Sequence, residues 1–166
     1  MGPDPDWPAF DVEGPVRAEI FVLVHDGEQI LLTGPCGAAP WLLEAVDAGH
    51  PMALVDATVR RVLDDVELVH STSWRFERDG VILTFTAVIP PSAVGAMEAV
   101  PVDRVELARG QATEAPATVG WEAVLEHGLR HLAWLVADDP VVAGTLDEHW
   151  RATLSGYRAE PFRQLA

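Results

Sequence analysis

Apolar positions along the chain change rhythm several times, and each change predicts an element. Between Arg17 and His25 the run Ile20-Phe21-Val22-Leu23-Val24 is apolar on alternate and intervening positions alike. That pattern predicts a strand buried on both faces. Asp26-Gly27 predicts a two-residue hairpin turn, because glycine takes positive φ without a Cβ clash, and Gln29 to Thr33 returns as the partner strand. Breakers from Gly34 to Pro40 mark a loop, and Trp41-Leu42-Leu43 a short strand. From Pro51 the spacing becomes helical: Val55, Val59, Val62 and Val66 recur with Leu63 beside them, while Asp56, Arg60, Arg61, Asp64 and Asp65 fall on the other side. Pro51 suits a first turn, where its missing N–H has no intrahelical partner. The pattern predicts an amphipathic helix over 51–66.

Leu68 to Arg78 and Val81 to Ile89 then predict two strands joined by Asp79-Gly80, the second with Val81, Leu83, Phe85, Ala87 and Ile89 on one face. Pro101 to Leu107 reads as another short strand, and Arg109 to Val119 as a loop. Two helices close the chain, at about 119–137 and 140–155. The first buries Trp121, Val124, Leu125, Gly128, Leu132 and Leu135. The second is capped by Asp139, buries Val142, Leu146, Trp150 and Leu154, and stops at Gly156.

This mixture of elements predicts an α/β domain over 17–166, preceded by an extended arm over 1–16 in which Pro3, Pro5, Pro8 and Pro15 preclude regular structure. Charge narrows the partners. The net charge is −15 and every one of the 11 basic residues is arginine, so a polyanion meets a repulsive field and nucleic acid is not expected. No apolar run is long enough for a bilayer, and the acidic, proline-rich start does not read as a signal peptide. The single cysteine, Cys36, fits a reducing compartment. A cytoplasmic protein is expected, with no membrane partner.

The candidate chemistry sits on the helix after Pro51. Arg60, Val62, Asp64, Asp65 and Leu68 fall at the spacing of an arginine, an aliphatic residue, two adjacent acids and a final aliphatic residue. With the order of elements from Arg17 to Leu135, this resembles the Nudix hydrolase family. The resemblance implies a Nudix-like α/β/α sandwich with a mixed sheet and, here, a helical C-terminal extension. It also implies magnesium or manganese held by helix carboxylates, activating water against a diphosphate linked to another group.

The departures lie on the ligand positions. Arg61 stands where the family has the glutamate after the arginine, Met52 where it has an earlier glutamate, Val46 where it has the first glycine, and Glu67 where it has the last. Arg60 with Asp64, and Arg61 with Asp65, are spaced for i,i+4 ion pairs worth about 0.3–0.5 kcal/mol each. Arg61 then places a cation where a metal ion should sit. The expected function is therefore a small-molecule-binding or protein-interaction module without metal-dependent hydrolysis and without a cofactor. A divergent hydrolase of nucleoside diphosphate derivatives, using Asp64 and Asp65 with magnesium or manganese, is the alternative. Glu67, Glu44, Asp47 or Asp56 would then rebuild the metal site. A structural subunit without a pocket is a third reading, and a homodimer through the arm or the C-terminal helices stays open.

His50, Arg60, Arg61, His70 and Trp74 are the residues expected to line the inherited cleft, His50 because it precedes a helix N-terminus that favours anions. Trp74, two residues from Phe76, is more often core than a base-stacking platform. His127 and His131 have the i,i+4 spacing of metal ligands but no evident third ligand, so they are assigned to a solvated helix face, with Glu126 and Arg130 as an ordinary ion pair there. His25 is expected at the surface or in a capping role.

Overall fold

The computed structural model describes residues 14–46, 49–77, 80–107 and 119–160. Its strands are β1 (Val16–His25), β2 (Ile30–Thr33), β3 (Trp41–Leu43), β4 (Leu68–Glu77), β5 (Gly80–Val88) and β6 (Val100–Pro101). The helices are α1 (Pro51–Val62), α2 (Trp121–Asp138), α3 (Pro140–Thr145) and α4 (Glu148–Leu154), with a 3-10 turn at Pro91–Ala93. The protein is mixed α/β. Its six strands form one mixed sheet in the order β4-β5-β1-β2-β6, with β3 also paired to β1. β1 runs parallel to β5, and the other pairings are antiparallel.

The continuous apolar run places β1 at the centre, where both faces of Ile20 to Val24 are buried. Ile20, Val22 and Val24 meet Val55, Val59, Phe85 and Ala87 on the α1 side. Phe21 and Leu23 meet Leu129 and Leu132 of α2, in a core shared with Val142, Leu146, Trp150 and Leu154. Helices therefore cover both faces of the sheet. None of the described helices is long and apolar enough to cross a membrane.

Several boundaries differ from expectation. The first hairpin register pairs His25 with Ile30, and the Asp26 N–H reaches the Gln29 carbonyl at 3.2 Å, so the tip is Gly27-Glu28 rather than Asp26-Gly27. Gly27 supplies the positive φ, 102°. Asp26 instead accepts from the Glu28 and Gln29 N–H groups at 2.8 and 2.9 Å, an Asx-type brace for the turn. In the second hairpin Glu77 faces Gly80, so Gly80 belongs to the strand; the intervening 78–79 lie outside the described residues.

α1 stops at Val62, one turn earlier than the periodicity suggests. Leu63 is extended at φ −102°, ψ 132°, and the Glu67 N–H already bonds the Val88 carbonyl. The chain leaves the helix because Glu67 and Leu68 already join the ladder with Val88 of β5, while Leu63 and Val66 stay buried in the connection. Val62 is left exposed.

The expected strand from Pro101 to Leu107 shrinks to Val100–Pro101, which among the described residues pairs only with the four-residue β2. The last helix splits: Leu146 ends α3, and the Asp147 carboxylate caps α4 through the Trp150 N–H at 3.0 Å. The break retains all four expected core residues. Asp139 caps α3 as expected, through Val141 N–H at 2.8 Å. Trp121, expected inside, is half-exposed at the start of α2. Residues 1–13 of the arm, and 108–118 of the expected loop, lie outside the described residues.

Candidate functional site

The charged side of α1 does not form the expected Arg60–Asp64 and Arg61–Asp65 pairs. Arg60 donates through Nε to Asp56, at 2.9 and 3.1 Å to its two carboxylate oxygens, and through Nη1 to the Val66 carbonyl at 3.0 Å. It does not pair with Asp64. Because the helix ends at Val62, Asp64 and Asp65 lie beyond it in exposed chain, and no ion pair joins Arg61 to Asp65 among the described residues. His50 occupies the N-cap position, is exposed, and caps nothing with its side chain. Glu67 is exposed at the approach to β4; partial burial, then the charges of Asp147 and Asp65, push its carboxyl above the ordinary range. Among the described residues no three His, Cys, Asp or Glu side chains group so as to hold a metal ion.

The proposed cleft set is divided by a β-bulge. Ser71 faces Phe85 and Ser73 faces Thr84, which leaves Thr72 as an extra residue in β4 and reverses the alternation beyond it. His70 therefore shares a face with Thr86, towards α2, whereas Trp74 lies across from Leu83 on the α1 side. Trp74 meets Phe76 edge-to-face, with ring centroids 5.3 Å apart. His70 is brought to a different partner.

That partner is His131. Their Nε2 atoms are 3.3 Å apart, and the rings are nearly parallel, at 19° with centroids separated by 5.4 Å. Trp134, one turn on, continues the stack against His131 at 5.8 Å. His127 and His131, expected on a solvated face, are both buried, at 6% and 3% exposure. The cause is coverage from two directions: the sheet lies under α2 while α3 and α4 fold over it, burying the unbroken run Val124 to Leu129. Gly128 brings the helix backbone close to Thr72 and Thr86, where a methyl group would sit 3.5 Å from each. Thr86 Oγ1 is buried with no hydrogen-bond partner among the described residues.

Burial holds the His131 imidazole down at about 4; His70 and His127 beside it act in the same direction, against the Glu160 main chain. His70 is also lowered by burial, opposed by the charge of Asp139. An unfolded histidine binds its proton near 6.5, so between that value and about 4 the unfolded chain holds more protons. The contribution of neutral His131 is present above pH 6.5 and is lost as pH falls through about 4. Allowing for partial solvent screening, it is expected to be about 2 kcal/mol. Urea denaturation across this range should show a steeper acid loss for the natural chain than for His131→Phe; parallel curves would refute the assignment.

Three further polar groups on these faces are buried, and one of them, Glu19, was not singled out by sequence pattern. Glu19, a lone acid beside the apolar run of β1, is buried and binds Arg75 at 2.8 and 3.3 Å, with Thr84 Oγ1 at 3.4 Å. A charge inside a strand buried on both sides requires such a partner, which was the available signal. His25 is buried, not at the surface. Its Nδ1 accepts the Gly27 N–H at 3.0 Å, so Nε2 carries the proton and donates to Thr153 Oγ1 at 2.7 Å, tying the first hairpin to α4. Glu126 does pair with Arg130, at 3.0 Å, but from the interior, and it also binds Arg104.

Comparison of the sequence with models of protein families, with curated proteins and with solved structures gives no match.

Proposed function

We propose that this chain is a Nudix-like domain that works as a binding or protein-interaction module and not as a metal-dependent diphosphate hydrolase. Support for the fold reading comes from a mixed sheet with one helix after its third strand on one face and the C-terminal helices on the other. The observation that carries the functional reading is the end of α1 at Val62. A divalent ion of the magnesium class needs several oxygen ligands converging on one point. Asp64 and Asp65 leave the helix before they can converge with its other side chains, and Asp56 is engaged by Arg60.

The surface beside α1 suits contact better than hydrolysis. Met52, Leu54 and Val62 of the helix are exposed apolar residues, and the exposed Arg61, seven residues on from Leu54, shares its helical side. An anionic or amphipathic partner would find both apolar area and a guanidinium there. The test is turnover of nucleoside diphosphate derivatives with magnesium or manganese. No metal-dependent release of product is expected from the natural chain. Turnover that disappears in Asp64→Asn and Asp65→Asn would replace this reading with the hydrolase one.

A further inference from the structure

The His70–His131 pair has the spacing of a chelate. Two imidazole nitrogens bound to one tetrahedral ion at 2.0–2.1 Å lie about 3.3 Å apart, and the two Nε2 atoms are separated by 3.3 Å. We propose that His70 Nε2 and His131 Nε2 form a two-imidazole site for a divalent transition-metal ion of the zinc, nickel or copper class, with solvent completing its coordination.

The surroundings favour this use. The two ligands come from different regular elements, β4 and the 18-residue α2, which hold their separation without a loop. Trp134 stacks on His131 and restrains its ring plane. His70 is only half-buried, which leaves a route for the ion, and the negative charge of Asp139 acts on it. In the metal-free pair one Nε2 carries the proton that joins the two atoms, and a bound ion takes the place of that proton. Thr86 Oγ1 lies across the strand from His70 and gives an ion-bound water a buried partner. Imidazole donors select ions of this class over magnesium. The i,i+4 spacing of His127 and His131 suggests a different pair, but the helix meets its second imidazole across the β4 seam.

This site shares no residue with α1 and stands independently of the Nudix-like reading. Zinc chloride titrated into the full chain at neutral pH is expected to bind one ion per chain in calorimetry, and magnesium chloride to give no heat. His70→Gln and His131→Gln, which keep a polar group near the ε position, should each abolish that binding; His127→Gln should retain it. Copper should quench tryptophan emission, with most of the quenching absent in Trp134→Phe. Zinc should also shift the ¹⁵N resonances of both Nε2 atoms in the natural chain, a measurement independent of whether the variants fold. Absence of zinc binding, binding unaltered in both glutamine variants, or unshifted Nε2 resonances would overturn the proposal.

Discussion

Glu126→Ala is expected to lower the unfolding free energy by about 3–5 kcal/mol, the range for removing one partner from a buried ion pair. Glu126 is 1% exposed and accepts from Arg130 Nε at 3.0 Å, from Arg104 Nε and Nη2 at 3.3 Å each, and from Val105 N at 3.4 Å. Alanine would leave two guanidinium groups facing each other and the half-buried Val105 amide without this acceptor. Arg104 is half-exposed and regains water, but Arg130 has only 16% of its side chain exposed. The damage should extend beyond α2. Arg104 also donates to the Gly156 carbonyl at 3.0 Å and lies 3.8 Å above the Tyr157 ring, while Arg130 reaches Glu160 at 3.4 Å. Urea denaturation measures the loss. Glu126→Gln, which keeps an acceptor oxygen, should fall between the natural chain and alanine, and a near-natural midpoint for alanine would mean that the network contributes little.

Gly80→Ala should cost about 3 kcal/mol, at the upper end of the usual penalty for overpacking. The reason is space. Gly80 lies in β5 without positive φ, yet a Cβ there would run into the Pro15 carbonyl oxygen, which accepts the Val81 N–H at 3.1 Å. The obstacle is backbone held by its own hydrogen bond, so a rotamer change cannot relieve it. Gly27→Ala separates this cause from the conformational one: nothing lies within 4 Å of its Cβ, but φ is 102°, and about 1–2 kcal/mol is expected from the left-handed backbone alone. Equal denaturation midpoints for Gly80→Ala and the natural chain would show that Val16 and its neighbours can shift to make room.

The candidate residues divide according to the range of the forces acting on them. The exposed position of Asp64 and Asp65 and the helical character of 51–62 follow from local pattern. The end of that helix does not, since it depends on where β4 begins to pair with β5, a strand more than ten residues further on. Arg60 illustrates the consequence: spaced equally for Asp56 and Asp64, it takes Asp56 because only that side remains helical. For α2 a better signal was present. Val124, Leu125, Leu129, Leu132, Ala133 and Leu135 cover more of the helix circumference than one apolar stripe, and such a helix is covered on several sides. Its histidines and Glu126 are buried for the same reason.

The sequence by itself determined that β1 is a strand buried on both faces, that strands and helices combine into a mixed α/β protein, and that Val55, Val59, Val142, Leu146, Trp150 and Leu154 are core residues. Those properties arise from periodicity and turn chemistry within about ten residues. Tertiary structure alone decided that His70 meets His131 across 61 residues and that Arg104 meets Glu126 across 22. A single extra residue at Thr72 sends His70 and Trp74 to opposite faces of the sheet. Strand register turns on one residue, and long-range packing selects that register.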